Sequence, residues 1–377
     1  MYLIVGADLV ATNSNKDLFV SGDLNELLGT ELKDYVMGAE YRIFNLEVPL
    51  ADIETPISKC GPALIAPRKT INGYKAMGVN LLTLANNHIY DQGLQGLIST
   101  CETLEDNNIA FLGVGKTSDE AKKPYCFEFA GKKIGVYGCS EHEFSIVSEN
   151  SAGANPFDPL ESLDHISELK KECDFVIVLY HGGKEHYRYP SPMLQKNCRK
   201  IAEKGADLVV CQHSHCIGCE EKYQGTTIVY GQGNFLFDCS TNECWNTGLL
   251  ISLDENMNVQ YVPLRRHNKN TVRLAIGDDA REIISGFAER SEQIKQPGFI
   301  EEKYKAFADE MMRFYLFTFS GIKPTFIYRA LNKLTGHRLS SWILNRKYNR
   351  AKKLALRNFI ECEAHRELIL QGLKSDN

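Results

Sequence analysis

The stretch Asn80-Leu-Leu-Thr-Leu-Ala-Asn-Asn-His-Ile-Tyr-Asp-Gln-Gly93 is an apolar run that stops abruptly in Asn86, Asn87, His88 and Asp91. A short apolar run bounded by turn residues reads as a buried strand that delivers polar groups to its tip. Asn and His can each coordinate a metal or touch a substrate, and Asp91 can hold the imidazole of His88 in one tautomer and stabilise its charged form. Taken alone, the stretch reads equally as a polar strand-to-helix turn with Asn as its cap. The rest of the chain decides between the two.

Five other segments repeat the pattern. Tyr2-Leu-Ile-Val5 runs into Gly6-Ala7-Asp8, and Tyr41-Arg-Ile-Phe-Asn-Leu leads to Glu47. Phe175-Val-Ile-Val-Leu-Tyr180 ends in His181-Gly-Gly-Lys-Glu-His186, Leu208-Val-Val-Cys211 in His213-Ser-His215, and Thr227-Ile-Val-Tyr230 in Gly231-Gln-Gly-Asn-Phe235. Helical spacing of apolar residues predicts helices near 25–28, 72–77, 94–104, 160–169 and 193–202, and residues 127–137 read as a hairpin turning at Gly131. This β-α alternation implies a largely parallel sheet with helices on both faces. In open α/β sheets ligands bind along the carboxyl edge of the strands, where Asp8, Glu47, Asn87, His88, His181, His213 and His215 would all gather. Such a mixed nitrogen and oxygen set suits Zn, Mn or Fe, and clusters of this kind commonly hold two divalent ions for displacement at phosphorus. His213 and His215, two apart on extended backbone, face the same side. The alternative for that segment is a structural zinc knuckle built on Cys211, Cys216 and Cys219, although a second Cys-x-x-Cys is missing.

Bulk properties narrow the classes. The chain has 377 residues and a formal charge of −5, so a large domain plus an appendage is expected, and nothing at whole-chain level points to nucleic acid or disorder. Met1 is followed by Tyr-Leu-Ile-Val-Gly, too short for a signal h-region, and no apolar run approaches the roughly 18 residues of a membrane span. The expected location is cytoplasmic, and the twelve cysteines read mostly as free thiols.

The motifs Asn45-Leu-Glu47, Leu84-Ala-Asn-Asn-His-Ile-Tyr-Asp-Gln-Gly93, His181-Gly-Gly-Lys-Glu185, His213-Ser-His215 and Gly233-Asn-Phe235, in this order, resemble the CapA family of bacterial capsule and poly-γ-glutamate synthesis proteins. That family is related to calcineurin-like metallophosphoesterases, and the resemblance covers about residues 1 to 265. It implies a layered α/β/β/α sandwich over residues 1–268, followed by a helical region over 269–377. It also implies one or two divalent ions, Mn, Zn or Fe: Asp8 and His215 on one, Asn87, His181 and His213 on the other, and Glu47 between them. His88, oriented by Asp91, would protonate the leaving oxygen. Asn86, Lys59, Arg68, Lys184, Glu185 and Asn234 form the expected substrate-binding set for an anionic or phosphorylated glycan-type substrate. Two positions depart from the related phosphoesterases: Val10 stands where they carry His, and Glu47 where they bridge with Asp. The implied function is a metal-dependent phosphoesterase in capsule or surface-polysaccharide assembly. The alternatives are a catalytically silent accessory protein that binds a polymer or a capsule-assembly enzyme, and chemistry at a carbonyl centre.

From residue 321 to 360 the chain carries ten Lys or Arg and no Asp or Glu. Within 342–360, Leu344, Tyr348, Ala351, Ala355 and Phe359 form one stripe at helical spacing, and Arg346, Arg350, Lys353 and Arg357 another. A basic amphipathic helix of this kind can lie on an anionic membrane or bind an acidic partner. Its alternative is a solvated face neutralised by the acidic segment before it.

Overall fold

Phe175–His181 sends Ile177 and Leu179 to one face and Val176, Val178 and Tyr180 to the other, and all five are buried. A strand covered on both faces needs an apolar layer on each side. The computed structural model describes residues 1–237, 242–322, 332–336 and 338–375. In it two mixed sheets face each other. One runs in spatial order Thr271–Leu274, Val259–His267, Thr247–Asp254, Tyr2–Leu9, Tyr41–Asn45, Leu81–Thr83 and Ala110–Leu112, with Asn234–Leu236 also paired to Tyr2–Leu9. The other runs Glu220–Tyr223, Thr226–Tyr230, Leu208–Gln212, Phe175–His181, Lys132–Ser140 and Tyr125–Phe129.

Period-2 alternation builds three cores from these strands. Leu3, Val5, Ile43 and Leu81 of the first sheet meet Ile177, Leu179, Leu208 and Val210 of the second in the space between them. Ile4, Phe44 and Leu82 turn outward to helices that carry Phe19, Leu32, Tyr74 and Leu104. On the far side Val176, Val178 and Val209 pack on Ile166, Leu169, Leu194 and Ile201. The layers are therefore α/β/β/α, as the resemblance implied.

The single largely parallel sheet expected from β-α alternation is instead two sheets with parallel centres and antiparallel margins. The antiparallel margin of the first comes from a hairpin that no turn motif in the sequence announces. Thr247–Asp254 and Val259–His267 pair across a tight turn in which Asp254 Oδ1 accepts from the backbone of Asn256 and Asn258. The first compact unit also runs past residue 268, to Ile300, because the helix Gly277–Gln293 buries Ile283 and Phe287 in the inter-sheet core.

The second unit, Glu301–Asn377, is helical among its described residues. Residues 323–331 and 337 of the basic segment lie outside the described residues. The helix expected through 342–360 is two helices, Arg338–Lys347 and Arg350–Glu361, because Asn349 caps the second by accepting from Lys352 N at 3.0 Å. No described helix is long and apolar enough to cross a membrane.

Leu179 sits 1% exposed between the sheets, so Leu179→Ala should cost about 2–5 kcal/mol of unfolding free energy in urea titration. A loss below about 1 kcal/mol would contradict a close-packed inter-sheet layer.

Candidate metal centre

Asp8 owes its position to a local irregularity. Tyr2–Leu9 runs parallel to Tyr41–Asn45, but the register shifts between Val5 and Asp8, so Asp8 lies within the strand rather than past its end. A bulge of this kind re-aims a side chain and frees backbone groups. Two buried amides take those groups: Gln212 Nε2 donates to Gly6 O at 3.1 Å and to Gln232 Oε1 at 3.0 Å, while Gln232 Nε2 donates to Val5 O and Leu249 O. The two sheets are thereby tied by hydrogen bonds at the bulge next to Asp8.

Around this tie the strand ends converge. Asn45 Nδ2 donates to Asp8 Oδ1 at 2.7 Å, and His215 Nδ1 lies 3.4 Å from Asp8 Oδ2. His181 Nε2 lies 3.2 Å from Glu47 Oε1, 3.0 Å from Asn87 Oδ1 and 3.1 Å from His213 Nδ1. Asp8 and Glu47 are wholly buried, yet Asp8 Oδ2 and both oxygens of Glu47 have no hydrogen-bond partner. Two groups, Glu47–His181–His213 and Asp8–Glu47–His215, each bring three candidate ligand atoms within 4.8 Å of one another and share Glu47. Buried carboxylates without donors, opposite imidazoles, are the donor set of a divalent-cation site.

Electrostatics sort the members of the cluster. Burial, reinforced by the charge of Asp8, pushes Glu47 well above the usual carboxylate range. Burial would also raise Asp8, but the His215 imidazole 3.4 Å from Oδ2 and the hydrogen bond from Asn45 outweigh it and hold the carboxyl down at about 2. Burial lowers His181 to about 4, and burial with the charges of its neighbours lowers His213 well below the ordinary value, which keeps both in the neutral form that ligates metal. Burial works against protonated His215 too, yet the Asp8 carboxylate 3.4 Å away outweighs it and lifts the imidazole to about 9.

The opening stretch divides its labour. The Asn86 amide is used on both sides: Nδ2 donates to Asn45 Oδ1 and Leu46 O, and Oδ1 accepts from the backbone of His88 and Ile89. Asn86 therefore holds the turn rather than facing a substrate. Asn87 points Oδ1 at His181, while its Nδ2 donates to Glu143 Oε2 at 3.2 Å. His88 Nδ1 is 2.6 Å from Asp91 Oδ2, which also accepts from Leu64 N at 2.7 Å. Lys59 Nζ completes Asp91 at 2.6 Å, with only 4% of the Lys59 side chain exposed. Lys59, expected to hold an anionic substrate group, is instead the buried partner of Asp91. The 52–66 loop is fastened to this stretch by that ion pair, by Leu64 N, and by Ile57 N to Asp91 O.

Other expected binders are placed differently. Arg68 donates to Thr103 Oγ1 and lies 3.6 Å from Asp106 on the helix Gly93–Asp106, which takes it out of the converging set. Lys184 is exposed; Glu185 is half-buried, where burial raises its pKa but the charges of His213 and His215 lower it further, to a net value below the ordinary one. Asn234 accepts from His215 Nδ1 at 2.9 Å. The cysteines of the zinc alternative point elsewhere: Cys211 Sγ lies 3.6 Å from Cys198 Sγ, Cys219 packs in the helix-side core, and neither candidate metal group among the described residues contains a thiol. Val10 is buried in the core under the first helical layer.

Several participants went unread in the sequence. Trp245 stacks on His215 at 4.4 Å between ring centroids and donates Nε1–H to His186 Nε2 at 2.8 Å, with Phe237 closing the aromatic group. His186, His213 and His215 all have positive φ, of 61°, 86° and 52°. Non-glycine residues in that region mark strain that the surrounding packing must hold. A polar residue inside an apolar strand end, as at Gln212 and Gln232, was the signal that could have exposed the inter-sheet tie; nothing local in the sequence pointed to Trp245.

Residues 4–239 match the family described as bacterial capsule synthesis protein PGA_cap. The chain belongs to this family. The match spans every residue of the centre from Asp8 to Asn234. The chain is 32% identical over 174 residues to the PGA biosynthesis protein CapA of Bacillus subtilis (strain 168), covering 45% of this chain and 46% of that one. It is 28% identical over 181 residues to the capsule biosynthesis protein CapA of Bacillus anthracis, covering 46% and 44%. The chain spans about half the length of these curated relatives. Among solved structures, a phosphatase from Mycoplasma pneumoniae overlaps 70% of this chain and 93% of its own at 14% identity and a TM-score of 0.44.

In this PGA_cap member the Lys59–Asp91–His88 group is almost fully withdrawn from water. Asp91→Asn would leave the Lys59 charge buried without its partner, at a cost of about 3–5 kcal/mol in urea unfolding, and would expose the 52–66 loop to limited proteolysis. A loss of less than about 1 kcal/mol, the worth of an exposed pair, would contradict this geometry.

Proposed function

We propose that the chain is a metal-dependent hydrolase of the phosphoesterase type, acting on an anionic or phosphorylated glycan-type substrate in capsule or other surface-polymer assembly. The observation that carries the reading is Glu47: a buried carboxylate with no hydrogen-bond donor, common to two ligand groups. Asp8 and His215 would hold one divalent ion, Asn87, His181 and His213 a second, and Glu47 would serve both. Divalent ions in such a centre supply Lewis-acid polarisation of a phosphoryl oxygen and lower the pKa of water. His88 would deliver the proton that the leaving oxygen requires: Asp91 fixes its Nδ1, and Lys59 fixes Asp91. Asn45 and Asn234 orient Asp8 and His215 from behind.

A second reading rests on Val10. Its burial among apolar side chains gives the Asp8 side of the centre no imidazole at that position, which favours an accessory protein without turnover. A Mycobacterium tuberculosis relative, 26% identical over 214 residues, carries polyglutamine synthesis accessory protein in its name.

Metal analysis and turnover of bis(p-nitrophenyl) phosphate separate the two. The hydrolase reading expects at least one Mn, Zn or Fe per purified chain, loss of that metal in His213→Ala, and a fall in kcat of about 10²–10⁴ in His88→Ala with metal content intact. Less than one ion per chain, with turnover unchanged in His88→Ala, would establish the accessory reading.

A further inference from the structure

Among the described residues of the C-terminal unit, far more large apolar side chains are exposed than buried. Among the described residues of 301–375, two large apolar side chains are buried, Leu316 and Leu344, while thirteen are exposed. The helix Arg350–Glu361 buries none of its residues. Phe314 and Phe319 are 60% and 58% exposed, Trp342 59%, Leu354 56%, Phe359 43% and Ile360 52%. Apolar surface on this scale, gathered on one unit, marks a face that something else covers.

Charge selects the occupant. Between residues 338 and 361 the chain carries seven Lys or Arg and a single acidic residue, Glu361, which Arg357 Nε engages at 2.7 Å. A second copy in a two-fold pairing would set this basic stripe against itself. An anionic lipid surface supplies both complements: headgroup charge for Arg346, Arg350, Lys353 and Arg357, and the acyl boundary for the apolar side chains between them. The exposed Trp and Phe are residues that favour that boundary, and Arg346 lies 5.5 Å over the Trp342 ring. No described helix is long and apolar enough to span, so the unit would lie on the surface.

We propose that the Arg338–Lys347 and Arg350–Glu361 helices form a docking surface for an anionic membrane. The proposal is independent of whether the metal centre turns over.

Flotation of the full chain tests it, using vesicles of phosphatidylcholine alone and vesicles doped with phosphatidylglycerol. Recovery is expected with the doped vesicles and to fall with added salt. Arg350→Glu/Lys353→Glu/Arg357→Glu should weaken binding roughly a hundredfold, and Trp342→Ala/Phe359→Ala should weaken it on the same vesicles. Unchanged far-UV circular dichroism and metal content would show that both variants fold. Three results would overturn the proposal: no flotation, equal recovery from neutral vesicles, or a concentration-dependent dimer in sedimentation that the charge reversals abolish. The last would assign the face to a second copy.

Discussion

Two carboxylates buried without enough donors are the constraint around which the first unit is organised. Withdrawing an ionised carboxylate from water costs several kcal/mol after relaxation, and folding tolerates this only where opposite charge or hydrogen bonds replace the lost solvation. Asp8 is compensated by Asn45 and His215. Glu47 is not: burial and its charged neighbour push it toward the protonated form, while three imidazoles stand nearby. A cation between these groups would resolve the conflict, and the backbone takes positive φ at His213 and His215, where their rings turn toward it.

The scaffold makes such a cluster possible. Parallel strands in both sheets end on the same side, so six short segments far apart in sequence each need to place only one or two polar groups. The inter-sheet amides Gln212 and Gln232 bind the backbone freed by the bulge before Asp8, which couples the position of the first ligand to the packing of the sheets. The Lys59–Asp91 pair does the same for the 52–66 loop. A long irregular segment thus becomes part of the support for His88 rather than a free lid.

Much of this was legible in the sequence because strand termini leave a strong local signal, an apolar run cut off by His, Asn or a carboxylate. Asp8, Glu47, Asn87, His181, His213 and His215 were found that way, and they do converge. What the sequence hid is set by tertiary pairing. Lys59 and Arg68 look alike as loop cations, yet one is buried against Asp91 and the other is tied to Thr103, a difference that no local pattern encodes. The antiparallel margin of the first sheet carries no such signal, because the hairpin 247–267 turns on Asp254 rather than on the Asn-Gly or Asp-Gly pairs that usually advertise a tight turn. Asn349, by contrast, is a readable cap that the continuous helical stripe through 342–360 obscured.

The central claim is that Glu47 is the shared ligand of a metal centre. Anomalous diffraction from crystals grown with manganese tests it most directly. The account predicts a peak within coordinating reach of Glu47, His181 and His213, and a second, weaker one bordered by Asp8, Glu47 and His215. A map with no anomalous density at Glu47, its carboxylate instead hydrogen-bonded to protein or water, would contradict it.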